Sequence, residues 1–137
     1  MAKYRVLSEK NKYYIPKEDF LTAIHYSLRY PLWIAEMETN ADTRGAIQYD
    51  KDRVQTSNDF DSTEAMGIKR AELSAKIQLI EDMIILACEG SNLERWLKLG
   101  VCYGLTFYQL KERGLPCERD MYYRVRKRYY YELSSRI

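Results

Sequence analysis

The 137-residue sequence is poor in the residues from which most catalytic and metal sites are built. It has one histidine, His25, and three cysteines, Cys88, Cys102 and Cys117, none of them in a C-x-x-C pair. A four-ligand zinc site would need carboxylates to complete it, which structural zinc rarely uses. Nucleophilic catalysis with a histidine base has a single candidate to draw on. Both absences argue against an enzyme, and no cofactor is expected. No apolar run approaches the roughly 20 residues that span a bilayer. Met1-Ala2-Lys3-Tyr4-Arg5 lacks the apolar segment of a secretory leader, so no membrane partner is expected and the cytoplasm is the expected location.

What is present is charge and tyrosine. Charged residues make up 31 % of the chain, and Tyr occurs thirteen times. The net charge of +2 hides an uneven spread: residues 1–35 carry +3, 36–64 carry −5, 65–108 balance, and 109–137 carry +4. The length suits one domain able to bury a core without a metal or disulfide staple.

Three segments are expected. Residues 1–43 begin with two short alternating runs, Tyr4-Arg5-Val6-Leu7 and Tyr13-Tyr14-Ile15, a weak hairpin signal. Pro16, Glu18 and Asp19 then open a helix with Phe20, Leu21, Ile24 and Leu28 on one face. Tyr30-Pro31 ends it, and a second helix over 31–43 has Leu32, Trp33 and Met37 to bury. Residues 44–61 lose periodicity and read as a flexible acidic loop. Residues 62–137 hold the rest. Asp61-Ser62-Thr63-Glu64 has capping-box spacing ahead of a long helix to about residue 89. In that helix Leu73, Ile77, Ile80 and Ile84 recur at coiled-coil spacing, a candidate self-association seam for a homodimer unless the core consumes it. Gly90 stops the helix, and Ser91-Asn92-Leu93-Glu94 forms a second box ahead of a helix through Trp96 and Leu97. Gly104 and Gly114 bracket a short helix capped by Thr106, and a last helix covers 117–134.

A short helix, a tight turn containing glycine and a longer basic helix make the outline of a helix-turn-helix. On the last helix Tyr122, Val125, Tyr129 and Leu133 share one side, with Met121 beside them, suited to packing on Phe107, Leu110 and the Trp96 helix. The opposite side carries Arg119, Tyr123, Arg126, Lys127 and Tyr130, with Arg124 at its margin. Arginine reads guanine through two hydrogen bonds, and Arg or Lys neutralises phosphates. Tyrosine hydroxyls donate to phosphates, and Arg124, Arg128 and the Thr106 cap are placed to meet the backbone. Double-stranded DNA is therefore the expected partner. The same pattern fits a solvated face on a helical protein-interaction module, and that alternative stays open. His25 reads as a packed or surface histidine. Asp50, Asp52, Asp59 and Asp61 lack the residue order of a calcium loop and read as solvated. Cys117 stands at a helix start, where a thiol pKa can fall, but with no base nearby it reads as inert.

Several stretches carry a family resemblance. They are Asp61-Ser62-Thr63-Glu64, Lys69-Arg70-Ala71-Glu72-Leu73, Gly104-Leu105-Thr106-Phe107-Tyr108-Gln109-Leu110, Leu115-Pro116-Cys117 and Arg126-Lys127-Arg128-Tyr129-Tyr130. Lys12-Tyr13-Tyr14-Ile15-Pro16 and Leu28-Arg29-Tyr30-Pro31-Leu32-Trp33 belong with them. Together they resemble small Firmicutes phage and prophage proteins similar to late-gene transcription regulators of the RinA/ArpU type. The resemblance implies a C-terminal helix-turn-helix like sigma-factor region 4, with its first helix over 106–113 and its recognition helix over 117–134. It also implies DNA binding upstream of packaging and structural genes, no enzymatic activity, and action in the bacterial host cytoplasm. Host RNA polymerase becomes a further expected partner.

The expectation is an all-α bundle of five or six helices ending in a helix-turn-helix, acting as a sequence-specific DNA-binding regulator. The alternatives are a phage factor that inhibits a host protein, such as a CRISPR nuclease, and a terminase small subunit. The latter usually carries its DNA-binding motif at the N-terminus, which this sequence does not match.

Overall fold

The computed structural model describes residues 10–49 and 57–137, with side chains described for 10–39 and 64–137. Among the described residues the protein is all-α, with no strand. Six helices run in order: α1 (Lys17–Leu28), α2 (Tyr30–Tyr49), α3 (Ser57–Ala87), α4 (Glu94–Val101), α5 (Phe107–Glu112) and α6 (Arg119–Ser134). No helix among these residues is long and apolar enough to cross a membrane.

Several boundaries differ from expectation. The first half of the expected hairpin, residues 4–7, lies outside the described residues. Its second half is a turn in which the Tyr13 amide donates to Asn11 Oδ1 at 2.9 Å and the Tyr14 amide to Asn11 O at 3.1 Å. An asparagine that bonds the backbone two residues on favours a turn over a strand pair. The expected loop at 44–61 is helical at both ends, since α2 continues to Tyr49 and α3 starts at Ser57; residues 50–56, with Asp50 and Asp52, lie outside the described residues. Apolar periodicity tells which face a helix would bury, and its loss does not by itself end a helix. Asp61-Ser62-Thr63-Glu64 consequently lies inside α3. The second box does not form either. Leu93 is the N-cap of α4 without a side-chain cap bond, while Ser91 Oγ donates back to Cys88 O at 2.8 Å.

The chain forms two compact units, and their division at Tyr30/Pro31 and Gln78/Leu79 does not follow the expected segment ends at 43 and 61. In the unit spanning 31–78, Trp33 is buried with the Lys76 ammonium 5.5 Å from its ring centroid, and Leu73 and Ile77 are buried as well. In the other unit α1 lies along α6, and α4 packs on α1, α5 and α6. Ile24, Ile80, Leu97, Leu110, Tyr129 and Leu133 are fully buried in it. The Ser27 hydroxyl donates to Ala23 O at 2.9 Å, so the Tyr129 hydroxyl, 2.7 Å from Ser27 Oγ, is the donor between α6 and α1. A second polar link joins Tyr30, whose hydroxyl donates to Glu81 Oε1 at 2.7 Å, to Lys98, 3.6 Å from the same oxygen.

Candidate nucleic-acid interface

The basic face begins with what fixes α5. Thr106 is its N-cap in extended backbone: Gln109 N donates to Thr106 Oγ1 at 3.3 Å, and Thr106 N donates to Gln109 Oε1 at 2.9 Å. This reciprocal pair engages the Thr106 and Gln109 amides and uses the Thr106 hydroxyl as an acceptor, which leaves the hydroxyl proton available to donate. α5 then buries Phe107 and Leu110. Gly114, at φ 105°, turns the chain where a side chain would be strained. The Leu115 amide donates to Leu110 O at 3.0 Å, and Leu115 and Cys117 are buried before α6 starts. Burial pushes the Cys117 thiol pKa up, against a smaller lowering by Lys111 and with a further small rise from Glu118, which fits an inert thiol.

α6 is seated by a close approach to α4. Gly100 leaves room for the Tyr122 hydroxyl, which a Cβ would overlap. The Tyr122 ring lies 6.0 Å, centroid to centroid, from Phe107 of α5. Tyr122, Val125, Tyr129 and Leu133 are buried, as their spacing predicts. Met121, expected beside them, is 41 % exposed.

The outward face is rotated from the predicted one. Tyr130, expected to face DNA, is 4 % exposed, with its ring 5.3 Å from Phe20 of α1. The cause is α1, which docks against that flank of α6 and covers it. The centre of the exposed face is instead Asp120, Arg124, Lys127 and Tyr131, at one-turn intervals. Arg124, predicted at the margin, is central. Arg119 remains exposed, while Tyr123, Arg126 and Arg128 are half-buried.

Two kinds of cation occupy this helix. Arg128 is engaged, with its guanidinium 3.4 Å from Glu89, so its expected phosphate role competes with an ion pair. Arg119, Arg124, Arg126 and Lys127 have no carboxylate partner among the described residues. Arg119 and Arg126 stack on Tyr123, at 5.5 and 5.6 Å from its ring centroid, and Arg126 also lies 5.5 Å from the Tyr130 centroid. A guanidinium on an aromatic face keeps its N–H edges free to donate, and stacking reduces the rotamer freedom lost when those edges bind. The surface is suited to an anion held by several prearranged donors.

The other predicted positions serve the core. Leu73, Ile77, Ile80 and Ile84 are 5, 9, 0 and 3 % exposed, so the coiled-coil spacing reflects packing within the chain and leaves no exposed seam for a second copy. His25 is on the surface. Asp59 and Asp61 have no described side chains, and no group of three His, Cys, Asp or Glu able to hold a metal occurs among the described residues.

No family model, curated protein or solved structure matches the chain.

Proposed function

We propose that this protein is a sequence-specific, double-stranded-DNA-binding transcription regulator of phage or prophage origin, without enzymatic activity. α5, the turn after it and α6 act as a helix-turn-helix, with α6 as the helix that enters the major groove. The observation that carries this reading is the concentration on one helix of four cations with no carboxylate partner among the described residues, two of them stacked on Tyr123. Arg124 and Lys127 lie at the centre of the contact, Arg119 and Arg126 along one flank. Asp120, in the first turn of α6, favours the helix dipole and disfavours phosphate at that end, so the DNA backbone runs toward the C-terminal half. One such motif makes a small interface, and a second DNA-bound copy or host RNA polymerase supplies the remaining affinity.

The test is fluorescence anisotropy with duplexes tiled across the protein's own genetic neighbourhood, at low and near-physiological salt, with Arg124→Ala/Lys127→Ala alongside. The expected result is one tile bound well above the others at the higher salt, and lost in the variant. Equal weak binding to every tile that vanishes with salt would reduce the face to charge alone.

A second reading, a factor that binds a host protein, is favoured by a different surface. Ile85 is 59 % exposed in a groove of about 420 Å³ between α3 and α4, with Ile84 beside it and Glu81, Glu94, Arg95 and Lys98 around it. Tight host-protein binding lost on Ile85→Asp, with no duplex affinity, would select this reading.

A further inference from the structure

The exposed face of α6 does not end at the helix. Tyr131 continues the row Arg124, Lys127, and its ring lies 5.5 Å, centroid to centroid and edge-on, from Tyr13 in the turn before α1. The Lys12 ammonium lies 5.6 Å from the Tyr13 ring centroid. Asn11 closes that turn through two bonds, to the Tyr13 and Tyr14 amides, and Ile15, directly after it, is 6 % exposed. A lysine distant in sequence is thereby held at the C-terminal end of the basic face by an aromatic pair and a fixed turn.

We infer that Lys12, seated by the Tyr13–Tyr131 pair, is a second-element contact to the DNA phosphate backbone, extending the α6 site beyond its recognition helix. The inference rests on the DNA-binding reading above. Its occupant follows from charge: the row Arg124, Lys127 and Lys12 is cationic, and the acidic Asp120 stands at the opposite end. From Arg119 to Tyr131 the helix rises about 18 Å. Phosphates of a duplex follow one another closely enough for several to meet such a row, one charge per about 1.7 Å of axis. Lys12 contributes to affinity and orientation, and reads no base.

The experiment measures the affinity of the full chain for its best-bound duplex and for a scrambled duplex, as a function of salt. One neutralised phosphate contributes about 0.9 to the slope of log K against log salt. Lys12→Gln is expected to lower that slope by about 0.9, which is about fivefold in affinity at 0.15 M salt, equally for both duplexes. Tyr131→Ala, at a half-exposed position, is expected to produce the same loss, and Lys12→Gln added to it to cost nothing more. Lys76→Gln, which removes the same charge from the lysine stacked on Trp33, is expected to leave binding unchanged. An unchanged slope in Lys12→Gln, an equal loss in Lys76→Gln, or full additivity with Tyr131→Ala would overturn the inference while leaving the α6 reading standing. Absence of duplex binding by the parent protein would overturn both.

Discussion

Gly100→Ala tests how α6 is held. A Cβ at Gly100 would overlap the Tyr122 hydroxyl oxygen and stand 3.3 Å from Tyr122 Cζ and 3.5 Å from Leu110 Cδ1. Tyr122 is 2 % exposed, with its ring against Phe107 and Tyr123, so it has no open space into which to swing. Alanine gains up to about 1 kcal/mol of helix propensity inside α4. Overpacking this severe costs about 3 kcal/mol, leaving the variant less stable by about 2 kcal/mol. For a domain of this size that is a fall in Tm of about 6–10 °C, read by calorimetry or by circular dichroism. Tyr122→Phe deletes the overlapping oxygen, so Gly100→Ala/Tyr122→Phe is expected to melt above Gly100→Ala. A single variant that melts at or above the parent, or a double variant that melts no higher than the single, would refute the close approach as what fixes α6 on α4.

Ser27→Ala is expected to cost about 1–3 kcal/mol, because it leaves the buried Tyr129 hydroxyl without its acceptor. Tyr129→Phe leaves Ser27 bonded to Ala23 O and is expected to cost about 1 kcal/mol; urea titrations in which Tyr129→Phe is the more damaging would contradict the assigned donor. The Cys88 and Cys102 thiols are pushed up from 9.0 to about 12, first by desolvation, so both stay protonated in the folded chain while the unfolded chain ionises. Their contribution is fully present below pH 9 and is lost between about pH 9 and 12, at up to about 1.4 kcal/mol per pH unit for each thiol. Denaturant midpoints that rise through this window in the parent relative to Cys88→Ala/Cys102→Ala would contradict it. At pH 7.5 these thiols are expected to resist a disulfide reagent until the protein unfolds, and rapid labelling of the native chain would show that they are accessible.

The sequence carries local information well and partner information poorly, and α6 shows where one becomes the other. Its buried row, Tyr122, Val125, Tyr129 and Leu133, follows from helical spacing because any helix lying on a core must bury one side. Which neighbour covers the flank does not follow from that spacing. Phe20 of α1, far away in sequence, takes Tyr130 and turns the exposed face toward Arg124 and Tyr131. The signal for Tyr131 was present, since it continues Lys127 by one turn and Arg124 by two; the signal for Lys12 was not, because only the fold brings Tyr13 to Tyr131. Thr106 is legible as a cap, but the hydroxyl of Ser91, at the same box spacing, bonds Cys88 O instead, since a box needs the chain to enter the helix at the right angle. The Leu73–Ile84 row has the spacing of an interface and the burial of a core. Spacing alone does not separate the two, because a coiled-coil partner and a helix of the same chain make the same demand on it.

The most direct test of the central claim is to observe the protein's backbone amides by NMR while the best-bound duplex is added. The largest shifts are expected on α6 from Arg119 to Tyr131 and on Lys12 and Tyr13, while those of the groove between α3 and α4 stay small. Shifts concentrated at Ile84, Ile85 and Arg95, or none on α6 at a duplex concentration that saturates binding, would contradict it.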